Sequence, residues 1–274
     1  MRLLKQKWIQ ILAGGILLFV GAEQGLKFTG NFNLIPTVIL VGALVVPVAF
    51  VAYFFSAERS VDKQEVHGDI SITLVTLSFF VGGAIGVLAA GIIEYSTLKH
   101  LTAASLFGVA TIEESAKLIV PLVIFAFASY RSRADGLLFG VATGMGFAAL
   151  ETMGYGLVGL MNSQGNVSVL EEILLVRGLL SPVGHAAWTG LVCSVLWGTR
   201  QRTGKPFGVM VILAFALVIV LHALWDIVGT ASSPFVVYTG YIIIGGTSIL
   251  LIIRQLSNAR RPRLIHTGGP LDPR

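Results

Sequence analysis

The sequence predicts an all-α polytopic membrane protein with about eight transmembrane helices and cytoplasmic N- and C-termini. Three observations carry that prediction. Only 12% of the residues are charged and 55% are hydrophobic, where soluble domains average about 25% charged. The apolar residues gather into eight stretches, each near the roughly 20 residues needed to cross hydrocarbon. The basic residues, finally, favour one of the two sets of connections that eight crossings create.

Residues 8–25 follow a basic segment and include Val20-Gly21-Ala22, which has the character of a signal-peptide cleavage site. Seven more stretches follow, so this one is read as an uncleaved first span. The second covers 34–55. The third, 70–92, carries Gly82, Gly86 and Ala90, and the fifth, 136–160, carries Gly136, Gly140, Gly144 and Ala148. Small residues at every fourth position form a ridge that lets helices approach closely. The fourth, sixth, seventh and eighth stretches cover 101–129, 179–198, 207–229 and 236–254. The connections are too short to hold a soluble domain, so residues 1–256 are read as one transmembrane domain and 257–274 as a disordered cytoplasmic tail. The outer connection 162–177 ends near Glu171-Glu172 and is read as an amphipathic surface helix. Its Asn166-Val167-Ser168 is taken as a chance match to a glycosylation sequon. The single cysteine, Cys193, excludes an intramolecular disulfide framework and a cysteine-based zinc finger.

With the N-terminus inside, the cytoplasmic segments hold Arg2, Lys5, Lys7, Arg59, Lys63, Arg131, Arg133, Arg200, Arg202, Lys205 and the tail arginines from Arg254 onward. The outer segments hold Lys27, Lys99 and Arg177. That is a strong positive-inside signal, and inverting the arrangement would reverse it. The net charge of +5 thus reflects topology. The partner it indicates is the lipid bilayer, with no nucleic acid; oligomeric state is not legible.

Against this apolar background seven ionisable residues stand out: Glu113, Glu114, Lys117, Glu151, His185, His222 and Asp226. A charge at the centre of a membrane helix costs at least ~2.5–3.5 kcal/mol, so such residues face a bundle interior and mark a site. On the fourth span, Lys117 lies about 40° from Glu113 and about 60° from Glu114 around the helix. Two carboxylates beside an amine suit a general base or acid; the plainer alternative is a buried ion pair that holds the bundle together. Glu151 follows Phe147 by one turn, His185 follows a Pro182-Val183-Gly184 break, and His222 and Asp226 share a face at i, i+4. Each alone is compatible with a structural role. Four successive helices carrying such groups point to convergence. Counted at 1.5 Å per residue, the seven lie roughly 5–18 Å below the outer boundary.

These residues resemble the motifs of the PrsW family of intramembrane proteases, related to the CAAX prenyl endopeptidases and bacteriocin-processing proteins. The pattern is Glu-Glu-x-x-Lys, Phe-x-x-x-Glu and His-x-x-x-Asp on separate spans, here Glu113-Glu114-x-x-Lys117, Phe147-x-x-x-Glu151 and His222-x-x-x-Asp226. Asp135-Gly136, Gly144-x-Gly146-Phe147, Tyr155, and Arg177 ahead of His185-Ala186 also agree, so the similarity runs from about residue 40 to residue 250. Thr152 departs from it, since relatives often carry asparagine there. The resemblance implies site-1-type cleavage of a single-span membrane protein substrate near the extracytoplasmic face, anti-sigma factors being the known type, in a bacterial plasma membrane.

The expected mechanism has Glu113 as general base, with Glu114 and Lys117 setting its charge. Glu151 shares the water or shuttles its proton. His185 and His222 position water or the oxyanion, and Asp226 orients His222. No cofactor is expected on this reading. Zinc is the alternative, held by His185, His222, Glu151 and Asp226 with Glu113 as base. The non-enzymatic alternatives are a proton-coupled transporter and a non-catalytic membrane binding protein; no internal repeat favours the former.

Overall fold

The computed structural model describes residues 6–62, 70–98 and 103–259, and every regular element in them is helical. In order these are α1 (Lys7–Thr29), α2 (Ile35–Asp62), α3 (Ile72–Thr97), α4 (Ala103–Lys117), α5 (Ile119–Phe127), α6 (Arg133–Asn162), α7 (Val167–Thr203), α8 (Val209–Gly229) and α9 (Pro234–Ala259). Seven are long and apolar enough to cross a bilayer, the exceptions being α4 and α5. The protein is an integral, all-α polytopic membrane protein. Arg2, Lys5, Lys63, Lys99, Leu101, the arginines after Arg254 and the tail from 260 lie outside the described residues. The helix α9 continues through Ala259, beyond the expected boundary at 256.

Two expectations need correction. The fourth span was read as one helix over 101–129, but it is divided at Leu118. Pro121 has no N–H to offer the Lys117 carbonyl, and Leu118 N–H turns back to the Ser115 carbonyl instead (3.1 Å). The 162–177 segment was read as a surface helix and is instead the first half of α7. Asn166 caps it by accepting from the Ser168 N–H (3.0 Å), and Leu170, Leu174 and Gly178 are buried. Leu170 and Leu174 join Val38, Ile39, Ala43 and Leu160 in one apolar cluster. Charged residues in the segment are held as well: Glu171 pairs with Lys27 (3.1 Å).

The buried axis is α6. It starts from a capping box, in which Ser132 Oγ accepts from the Asp135 N–H (3.0 Å) and the Asp135 carboxylate accepts from the Ser132 N–H (2.7 Å). Every residue from Asp135 to Ala149 is buried. The predicted glycine ridges are its interfaces. A Cβ at Gly136 would stand 2.6 Å from the Cys193 carbonyl oxygen, and one at Gly140 2.6 Å from the Thr189 carbonyl oxygen, so α7 lies directly on this face. On another side, a Cβ at Gly82 would stand 2.9 Å from Thr143 Oγ1 and one at Gly86 2.9 Å from the Phe147 ring, which brings α3 equally close.

A Cβ at Gly146 would strike the Phe79 carbonyl, a backbone atom in a π turn (Ser78–Gly82) within α3. Overpacking of this kind typically costs 1–3 kcal/mol. Gly146→Ala is therefore expected to lower the melting temperature of the purified protein. Gly154→Ala, with open space around it, is the control and should not.

Polar contacts sort the helix ends. At one end Arg200 donates to the carbonyls of Phe125 and Tyr130, and Arg133 donates through its backbone to Gln201 and through its side chain to Gln255. This ties α5, α6, α7 and α9 together. At the opposite end of α7, Glu171 meets Lys27 of α1. Large apolar side chains such as Leu17, Phe28, Ile242 and Leu250 are exposed, as befits surfaces that meet lipid.

Candidate active site

Five helices close a ring: α3 packs on α4, α4 on α8, α8 on α7, α7 on α6, and α6 on α3. The seven residues singled out from the sequence stand on four of its walls and meet inside it. The last turn of α4, ending just before the break at Leu118, presents Glu113, Glu114 and Lys117. Lys117 is fully buried and its ammonium lies 3.0 Å from Glu113 Oε2 and 2.7 Å from Glu114 Oε1, above the Phe147 ring at 4.3 Å. A buried ammonium demands such partners, since desolvation without them costs several kcal/mol.

From α8, His222 turns its Nδ1 to Glu114 Oε1 at 2.9 Å. Its Nε2 lies 3.7 Å from Glu113 Oε2 and 3.5 Å from Asp226 Oδ2. Asp226 was expected to orient His222. Asp226 does flank the ring on the Nε2 side, but the closer carboxylate is Glu114, on Nδ1. A carboxylate at one imidazole nitrogen fixes the tautomer and aims the other. The ring is also clamped by Trp188, stacked on it at 4.9 Å and anchored through Nε1 to Ser248 Oγ (2.9 Å).

His185 lies in a second π turn, Pro182–Ala186, inside α7. Pro182 offers no N–H, and the Ala186 N–H reaches the Ser181 carbonyl five residues back (3.4 Å). Such turns concentrate at functional sites. Gly144 lets α6 pass directly against the His185 carbonyl. His185 Nε2 is 3.3 Å from Glu151 Oε2, and Arg177 Nη2 is 2.7 Å from the same oxygen while its guanidinium covers the Tyr155 ring at 3.9 Å.

A metal ion fits one part of this arrangement. Ligand atoms of Glu113, Glu151 and His185 all lie within 4.8 Å of one another. Carboxylate oxygen and imidazole nitrogen are both ligand types that zinc accepts, and three protein ligands leave a fourth position open. His185 Nδ1 is buried without a hydrogen-bond partner among the described residues, the state expected of an atom that a ligand could satisfy, whereas Glu151 Oε2 already carries Arg177. Of the four ligands named from the sequence, His185 and Glu151 belong to this group. Glu113 completes it, where His222 and Asp226 had been expected, because His222 is committed to Glu114.

Sequence reasoning did not find Trp188, the Arg177 contact with Glu151, or Glu94 on α3. Trp188 lies one turn after His185 and reads as an ordinary core aromatic. Glu94 falls two residues past the expected end of its span.

Buried carboxylates, imidazoles and an amine inside a ring of membrane helices are the groups an intramembrane enzyme uses. Residues 70–252 match the model of a family described as PrsW family intramembrane metalloprotease. Over 207 residues the chain is 27% identical to Protease PrsW of Bacillus subtilis (strain 168), covering 73% of this chain and 86% of that protein. No solved structure matches it. The chain belongs to the PrsW family and is an intramembrane protease.

Proposed function

We propose that this protease cleaves single-span membrane proteins near the extracytoplasmic face of a bacterial plasma membrane, with residues 1–256 acting as one protease domain. Anti-sigma factors are the substrate type that the family motifs imply. The observation that carries the reading is the meeting of Glu113, Glu151 and His185 within 4.8 Å, beside a histidine already aimed by a buried glutamate.

Hydrolysis needs an activated water, a stabiliser for the oxyanion and a proton for the leaving amine. Glu113 takes the proton of a water held between it, Glu151 and His185; Lys117 fixes the Glu113 carboxylate at 3.0 Å. His222, held by Glu114 and Trp188, acts as an imidazolium whose second N–H, at Nε2 beside the Glu113 and Asp226 carboxylates, is offered to the carbonyl oxygen, a preorganised donor of the kind worth ~2.7–4 kcal/mol in the transition state. Glu113, Glu151 and His185 are also the residues that would hold a divalent ion, which when bound polarises a carbonyl and acidifies its water. Arg177 keeps Glu151 in place.

Orientation rests on charge. The end that carries Arg131, Arg133, Arg200 and Arg202 is the cytoplasmic one by the positive-inside rule, which leaves the site in the outer half of the bilayer.

The test compares the termini of membrane proteins in cells carrying wild type or Glu113→Gln at matched expression. A new terminus in a single-span protein, just outside its membrane segment and absent in the variant, is the expected result. No difference, envelope stress included, would refute the substrate class and the role of Glu113. The ion is tested separately. Purified protein should bind about one divalent ion, and His185→Ala should weaken that binding at least about tenfold in a zinc competition assay. Absence of stoichiometric binding would remove the ion from the mechanism.

A further inference from the structure

Four walls of the ring supply the residues used above. The fifth, α3, has an ionisable group of its own. Gly86 meets Phe147, and Ala90 is buried against Ala116 and Phe147. Glu94 continues this series by one more step of four residues and so faces the same cleft between α4 and α6. The neighbouring helices set its level. One turn outward from Ala116 on α4 is Glu113, and one turn outward from Phe147 on α6 is Glu151. Glu94 therefore stands in the layer of the two carboxylates that hold the water. Its carboxylate feels the charges of Glu113, Glu151, Lys117 and His222. Its Oε1 is buried and finds no hydrogen-bond partner among the described residues, although the residue as a whole is half-exposed at the outer end of α3. A carboxyl group with one oxygen turned inward, unpartnered, and the rest reaching outward is placed to pass a proton.

We propose that Glu94 is a further catalytic residue, the acid that protonates the leaving nitrogen. This rests on the reading of the site as a peptide-hydrolysing centre. The imidazole that receives the carbonyl oxygen stands on α8, across the ring from α3, so a peptide bond laid over the water turns its nitrogen toward the α3 wall. The proton count closes without an outside donor. Glu113 takes one proton from water as the oxygen attacks the carbonyl carbon. Glu94 gives its proton to the nitrogen as the C–N bond breaks. The new carboxylic acid returns its proton to Glu94, and Glu113 passes its own to the released amine, leaving a carboxylate, an ammonium and the starting enzyme.

The experiment uses a synthetic single-span peptide, in bilayers with the full-length protein, carrying either an amide or an ester of a good leaving alcohol at the cleaved bond. An alkoxide that leaves without a proton does not need the acid. Glu94→Gln should slow amide cleavage about 10²-fold or more, the range general acids contribute, while slowing ester cleavage less than about threefold. Glu94→Asp should fall between wild type and Glu94→Gln on the amide. The amide-to-ester ratio does not depend on how much of the variant folds, so instability leaves the result readable. An unchanged ratio, whether both rates fall together or neither falls, overturns the proposal. Glu113→Gln is run alongside: if it still cleaves both substrates, the hydrolytic reading fails first, whereas its inactivity with an unchanged Glu94→Gln ratio refutes the role of Glu94 alone.

Discussion

Glu113→Gln is expected to abolish cleavage, with a loss of about 10⁴-fold, while the protein inserts and melts as the wild type does. The size follows from what one carboxylate does in the site. It receives the proton of the attacking water, a contribution of 10²–10⁴-fold for a positioned base, and it also belongs to the three-residue group that fits an ion. The amide of glutamine keeps the shape and still accepts from Lys117, so the cost falls on chemistry and not on packing. Substrate affinity should change little, since the side chain acts at the reacting atoms. Retained cleavage by well-folded Glu113→Gln would refute the assignment. Measurement is by initial rate on a single-span peptide together with a melting curve in detergent.

The largest effect on stability is expected from Lys117→Met. This ammonium is fully buried and pairs with two carboxylates at 3.0 and 2.7 Å. Removing one partner of a buried ionic group leaves the other uncompensated, at a cost of 3–5 kcal/mol. Thermal unfolding should shift down accordingly. The double variant Lys117→Met with Glu114→Gln should recover part of the loss, because the second change withdraws the charge that the first left bare. Strictly additive losses would mean that the two groups are not coupled.

The seven site residues were legible because hydrocarbon makes every ionisable side chain conspicuous, and because a period of four tells which of them share a helix face. The glycine ridges were legible for the same reason. The spacing of His222 and Asp226 could only propose a partner on the same helix. Glu114 comes from another helix, and no local period encodes a contact between residues 108 positions apart. The break at Leu118 was within reach, since Pro121 stands in the sequence, but a long apolar run hides it. The start of α7 was misread because Glu171, Glu172 and Arg177 look like surface charge. Two of them find partners only once α1 and α6 are folded beside them. Glu94 was set aside by a boundary placed two residues too early.

The π turn at His185 also means that the site is written partly in residue count. Arg177 and His185 are eight positions apart, which on an uninterrupted α-helix separates them by about 80° around the axis. One extra residue wound into the turn reduces that to about 20°, and both side chains reach the same oxygen of Glu151. A relative shorter by a single residue between Arg177 and His185 would hold the two side chains at the same angle of about 20° on an uninterrupted α-helix, so the π turn is the device by which a chain one residue longer keeps this convergence.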